Sequence, residues 1–206
     1  MYRIFALLCR VWFRLFHRQR PAVAVVYGAE GPLMQAIPLP PARPPGSSKM
    51  VDDRPDAVAT PGAVNPDVTQ ANMATTIFVS GFTKTIRPPV SFTNRLKLQQ
   101  MAEYGYPPDT NPADLEEDHL VPLECGGAAH DPANLWPQPR IGQWGARTKD
   151  LTENAANAAL RTGAMTLQEI QEGFRTDWKA LHKRLFSNPK LVASMMMSLS
   201  PPEDEP

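Results

Sequence analysis

The sequence predicts an α+β fold: a small strand, loop, strand, helix core with flanking helices, preceded by a disordered Pro-rich N-terminal region. Three observations predict it. Leu167, Ile170, Phe174, Trp178, Leu181 and Leu185 recur at threes and fours behind the capping box "TLQE", the clearest helical period in the chain. The block "EEDHLVPLECGG", Glu116 to Gly127, leads acidic residues into a histidine, a proline and a glycine pair, which reads as a strand end and a tight loop. Asn134, Leu135 and Trp136 then return as a second strand. Finally, ten of the 23 prolines fall between Pro21 and Pro66, a composition that does not bury enough surface to offset ordering entropy.

A chain of 206 residues with 42% hydrophobic side chains suits one soluble domain plus tails. Its 21 basic and 21 acidic residues cancel, so any anion-binding surface must come from local segregation of charge. Cys9 and Cys125 are the only cysteines, which excludes a disulfide framework and a four-cysteine zinc site.

Residues 1–20 are interrupted by Arg3, Arg10, Arg14, Arg18 and Arg20 and are too short of uncharged run to span a bilayer. On a helix, Ile4, Leu8, Val11, Leu15 and Phe16 share one side, as in a cationic interfacial helix; a weak signal peptide and a disordered extension are the rival readings. The cytoplasm is favoured, and residues 1–20 offer contact with a membrane surface or export. Residues 21–71 read as a linker, 72–186 as the domain and 187–206 as a flexible tail.

Within the domain, "TTIFVSGFTKTIRPP" predicts a short extended segment through Ile77, Val79 and Phe82. "SFTNRLKLQQMAEYGYPP" predicts a helix capped by Ser91 or Thr93, burying Phe92, Leu96, Met101 and Tyr104 and stopped by Gly105. A second helix runs from about Trp144 to Leu160, with Leu151, Ala155 and Ala158 inward, Lys149, Asp150, Glu153 and Asn157 outward, and Gly163 beyond its end. The third begins at Thr166. Trp136 and Trp178 belong to the core by position, and Trp144 is read the same way.

Asp118 and His119 are the residues on which chemistry can be built. A carboxylate can hold a divalent cation, an imidazole titrating near neutrality can take a proton from water, and the cation can stabilise charge on a phosphate. Successive strand residues point to opposite faces, so bringing both side chains to one spot requires irregular backbone beside Pro122. Asn134 suits a structural role, its amide bridging loop backbone groups, while Pro122, Gly126 and Gly127 shape the loop. Arg140, Arg147 and Lys149, flanking the block, are the expected nucleic-acid phosphate contacts.

"EEDHLVPLECGG" followed by "DPANLW" resembles the HNH endonuclease superfamily, whose core is a ββα-metal finger. "GFTKTIRPPVSFTNRLKLQQMAEYGY", "ARTKD" and "TDW" extend a similarity to small HNH-like bacterial and phage proteins over residues 70–182. The resemblance implies a metal-dependent endonuclease acting on DNA, with Asp118 as metal ligand, His119 as general base and Asn134 as the central asparagine. It implies Mg²⁺ or Mn²⁺, with Zn²⁺ or Ni²⁺ as alternatives, and no small-molecule cofactor. The chain departs from the pattern at the third ligand, which falls near Ala146 or Arg147; Asp150 is the best local substitute, ahead of Glu153, Glu117 and His130. The resemblance also implies cysteines at Phe78 and Thr162, both absent, and Cys125 is read as a buried filler. The alternative is a catalytically degenerate module that binds nucleic acid or protein.

Overall fold

The computed structural model describes residues 37–189, 192 and 193; the expectations for residues 1–20, for 21–36 and for most of the tail lie outside the described residues. The described part is α+β. Strands β1 (Leu115–His119) and β2 (Leu135–Pro139) form a two-stranded antiparallel sheet in which Leu115 pairs with Pro139, Asp118 with Trp136 and His119 with Leu135. Helices α1 (Phe82–Ile86), α2 (Val90–Glu103), α3 (Ala146–Arg161) and α4 (Leu167–Phe186) accompany it among the described residues. No helix among the described residues is long and apolar enough to cross a membrane.

Each strand is entered through the same local device. "NPADL" and "DPANL" both place an Asx residue before proline, and each forms a short 3-10 turn in which Asn111 Oδ1 or Asp131 Oδ1 accepts the amide two residues on. The proline fixes φ and the Asx side chain replaces a backbone partner, so Leu115 and Leu135 start their strands from equivalent turns.

The sheet lies between two apolar layers. Leu135 packs with Phe92 and Leu96 of α2, joined by Ile37 and Leu39. Trp136, on the other face, enters the larger core with Phe174, Trp178, Leu181 and Leu185 of α4 and Ala155, Ala156 and Ala159 of α3. Burying each large side chain contributes about 1.5–3 kcal/mol. Helix α4 opens with the anticipated capping box, Thr166 Oγ1 accepting from Glu169 N and Glu169 Oε2 accepting from Thr166 N. It buries the six apolar residues named from the sequence. At Asp177 the backbone leaves helical geometry, and the Asp177 carboxylate accepts from Lys179 N and Ala180 N, restarting the helix so that Trp178 stays in the core.

Four expectations are corrected. Residues 37–71, which composition places in the linker, are packed into the fold: Arg43 pairs with Glu103, Thr60 is fully buried, and Gly62 N and Ala63 N both donate to Ala133 O. These ties run largely through the backbone and leave no apolar period to read. Second, Ile77 to Phe82 is not extended; Ile77 is buried in a turn and Gly81, at φ +84°, leads into α1. Third, α2 starts after Pro89, whose carbonyl accepts from Phe92 N and Thr93 N, and Ser91 and Thr93 lie inside the helix. Fourth, α3 is rotated: Lys149, Thr152, Ala155, Ala156, Ala159 and Leu160 are buried and Leu151 is half exposed. Small alanines let α3 approach α4 closely, and Thr152 Oγ1 meets His182 Nδ1 at 2.8 Å across that contact.

Candidate functional site

The loop between β1 and β2 is built around one carbonyl and one amide side chain. Pro122 O accepts from both Cys125 N and Gly127 N, curling the chain into a 3-10 turn that Gly126 leaves at φ +79°. A Cβ on Gly127 would stand 1.8 Å from Val121 O, so only glycine fits there. Asn134, fully buried, accepts from Val121 N through Oδ1 and donates through Nδ2 to Val121 O and Ala128 O at 2.9 and 3.0 Å. The loop is also held from outside: Asn157 of α3 donates to Glu124 O, Gln171 of α4 to Cys125 O, and Asn65 N to Gly126 O. Burial pushes the Cys125 thiol well above its usual range, which suits an inert filler.

Strand β1 pairs regularly through Asp118 and His119, and Leu120 N continues the pattern to Asn134 O. The irregularity expected beside Pro122 does not reach the two residues, so their side chains leave opposite faces and take different partners. His119 is 7% exposed, and its Nε2 lies 2.9 Å from Ala129 O. A carbonyl only accepts, so Nε2 carries the proton and Nδ1 keeps a free lone pair in the neutral ring. Burial lowers the His119 pKa, against the opposing pull of the Ala129 carbonyl and Asp118, which favours the neutral ring.

Asp118 faces Lys149, and here the expected roles change. The Lys149 side chain is fully buried rather than exposed, so it is not a surface phosphate contact. Its Nζ donates to His119 O at 2.6 Å and to Glu153 Oε1 at 2.5 Å, and lies 2.8 Å from Asp118 Oδ2. Asp118 Oδ2 receives no hydrogen bond of good geometry, so attraction there is of charge to charge. Burial opposes the Lys149 charge, but Asp118 and Glu153 outweigh it and hold the ammonium firmly protonated. Burial in turn pushes the Glu153 carboxyl up against the pull of Lys149.

Asp150, expected to complete a metal site, is exposed on the neighbouring helical position. Burial, then the Asp118 charge, raises its carboxyl. Among the described residues no three His, Cys, Asp or Glu side chains gather as ligands for a metal ion. As the side chains stand, the Lys149 ammonium occupies the space beside Asp118 Oδ2, where a divalent cation on that oxygen would have to sit.

Asp150 lies between two clefts. One, of about 320 Å³, is lined by Arg87, Glu124, Asp150, Glu153 and Asn154. The other, of about 350 Å³, brings Arg140 and Arg147 together with Asp114, Glu116 and Asp150. Arg140 is ion-paired with Glu116 at 2.6 Å. Two of the three anticipated phosphate contacts thus share one surface. Arg87, exposed beside the first cleft, adds a further cation near Asp150. Lys97 is buried and donates to Pro112 O and Leu115 O.

His130 lies tilted against Phe92, ring centres 6.1 Å apart. Glu117, on the face of β1 opposite Asp118, is half-buried, with both carboxylate oxygens shielded from solvent and neither hydrogen-bonded. Comparison with known proteins finds no matching family model, no matching curated protein and no matching solved structure.

Proposed function

We propose that the domain is an HNH-like ββα module acting on nucleic-acid phosphodiesters, with His119 as the base that takes a proton from the attacking water. The observation that carries this reading is the strand, loop, strand, helix unit in which Asn134 clamps the loop by three hydrogen bonds and Ala129 O fixes the His119 tautomer. A neutral imidazole with Nδ1 as acceptor is the form a general base requires. The cleft holding Arg140 and Arg147 supplies cations for DNA backbone contacts, a sequence-independent mode of binding. The similar nucleases use a divalent ion at the position of Asp118, and that route here would require Lys149 to leave Asp118.

Plasmid nicking tests the proposal. The full-length protein, with and without EDTA, is expected to nick supercoiled DNA, and His119→Ala is expected to lose about 10²–10⁴-fold of that rate while keeping its circular dichroism spectrum. Activity unchanged in His119→Ala removes the assignment. One observation favours a second reading, a non-catalytic nucleic-acid-binding module: the buried Lys149 ammonium takes up the Asp118 carboxylate. Gel shifts of DNA by a protein that leaves every substrate intact support that reading over the enzyme.

A further inference from the structure

We propose that Lys149 is the resident cation of this site: its ammonium takes the place of a divalent ion against Asp118 and excludes one, while tying the end of β1 to α3. The inference depends on the HNH-like reading only for the expectation that a metal ion belongs beside Asp118.

Three oxygens surround Lys149 Nζ within 2.8 Å: the His119 carbonyl, Glu153 Oε1 and Asp118 Oδ2. The ammonium donates N–H groups to the His119 carbonyl and Glu153 Oε1, and its positive charge faces Asp118 Oδ2, so the set matches it in sign. Glu153 stands one helical turn after Lys149, so the two side chains meet on one face of α3, and Asp118 and His119 O arrive from the strand. A divalent ion entering the same space would meet a like charge at hydrogen-bonding distance from each of its ligands. The lysine is fully buried and has all of its charge partners within the protein. Through the His119 carbonyl it also holds the backbone of the proposed base, which makes Lys149 a positioning residue and not one that touches substrate.

Mn²⁺ titration of the full-length protein, followed by electron paramagnetic resonance, tests the proposal. Wild type and Asp118→Asn are expected to give superimposable Mn²⁺ isotherms. Lys149→Ser is expected to gain a site with affinity raised about tenfold or more, abolished when Asp118→Asn is added. Lys149→Arg, which keeps the charge, is expected to gain none. A wild-type Mn²⁺ site that Asp118→Asn removes overturns the proposal. If the Lys149 variants fail to fold, wild type decides alone: its melting temperature is expected to be the same in MnCl₂ and in EDTA, and a rise in MnCl₂ that Asp118→Asn abolishes overturns the idea. The nicking assay separates this proposal from the proposed function. Nicking that survives EDTA supports both, whereas nicking that needs Mn²⁺ and Asp118 overturns this one and leaves the nuclease reading standing. A protein that nicks under no condition defeats the nuclease reading, while the Mn²⁺ isotherms still decide this one.

Discussion

Lys97 of α2 and Lys149 of α3 both bury an ammonium against β1, and each acts on a carboxylate of that strand, Lys97 on Glu117 through its charge and Lys149 on Asp118 by direct contact. The outcomes differ. Lys97 Nζ is satisfied by the backbone carbonyls of Pro112 and Leu115, at 2.7 and 3.1 Å, and Glu117 is left without a hydrogen bond. Lys149 Nζ meets two carboxylates and one carbonyl. Burial alone does not define what a lysine does in a core; the oxygens it meets do. Lys97 staples the 3-10 turn before β1 to α2, and Lys149 neutralises a charged cluster.

The largest effect expected from breaking this comparison is at Lys149. Replacing it by methionine leaves Asp118 and Glu153 buried without their counter-charge, and removal of one partner from a buried ion pair costs about 3–5 kcal/mol. Urea denaturation of Lys149→Met is expected to show a loss of that order, partly recovered when Asp118→Asn is added. Equal stability of the single and double variants would show that the cluster is not coupled. Lys97→Met removes two hydrogen bonds from a charged donor and leaves no carboxylate newly stranded by its loss, so a smaller cost of about 2–3 kcal/mol is expected in the same assay. A larger loss at Lys97 than at Lys149 would reverse the comparison.

Glu117 gives the third test, through pH. Burial, and then the Asp118 charge, raises its carboxyl well above the usual range, so the folded protein keeps the proton that the unfolded chain releases above about pH 4.3. The folded state therefore binds more protons between the two pKa values, and stability falls as pH rises through that window, by at most about 1.4 kcal/mol per unit. Glu117→Gln removes this slope. Urea midpoints measured from pH 4 to pH 8 are expected to diverge upward for the variant as pH rises; parallel profiles would show that Glu117 titrates normally.

Legibility in the sequence followed the kind of signal each region carries. The buried face and cap of helix α4 are readable, because its six apolar residues and its capping box are encoded in residue types at fixed spacing, whereas the break at Asp177 carries no such signal. The loop residues Pro122, Gly126, Gly127 and Asn134 were readable for a similar reason: each conformation or bond demands one residue type. Helix α3 was misread because a lysine at its start suggests solvent, and only tertiary structure supplies the carboxylates that allow its burial. Residues 61–65 were missed because they support the loop through backbone hydrogen bonds and the Val64–Gly127 bridge, which composition cannot announce. A signal was available for the strand entries: "NPADL" and "DPANL", repeated twenty residues apart, place β1 and β2 without any apolar alternation.

Glu116 and Arg140 give the smallest expected effect on stability and sharpen the comparison from outside the core. Glu116 shares β1 with Asp118, yet its ion pair lies at the surface, with the two side chains 37% and 50% exposed. Water screens such a pair, and Arg140→Ala is expected to change stability by about 1 kcal/mol or less. Its effect belongs to binding. If Arg140 contacts a DNA phosphate from the cleft it shares with Arg147, Arg140→Ala lowers affinity for unrelated sequences alike and reduces the slope of log affinity against log salt by about one. Glu116→Gln, which frees the guanidinium from its partner, is expected to move affinity in the opposite direction. Fluorescence anisotropy with two unrelated duplexes across a salt series measures both variants. An unchanged slope in Arg140→Ala would take Arg140 out of the interface and leave Glu116 as a purely local partner, in contrast to the buried carboxylate two residues further along the same strand.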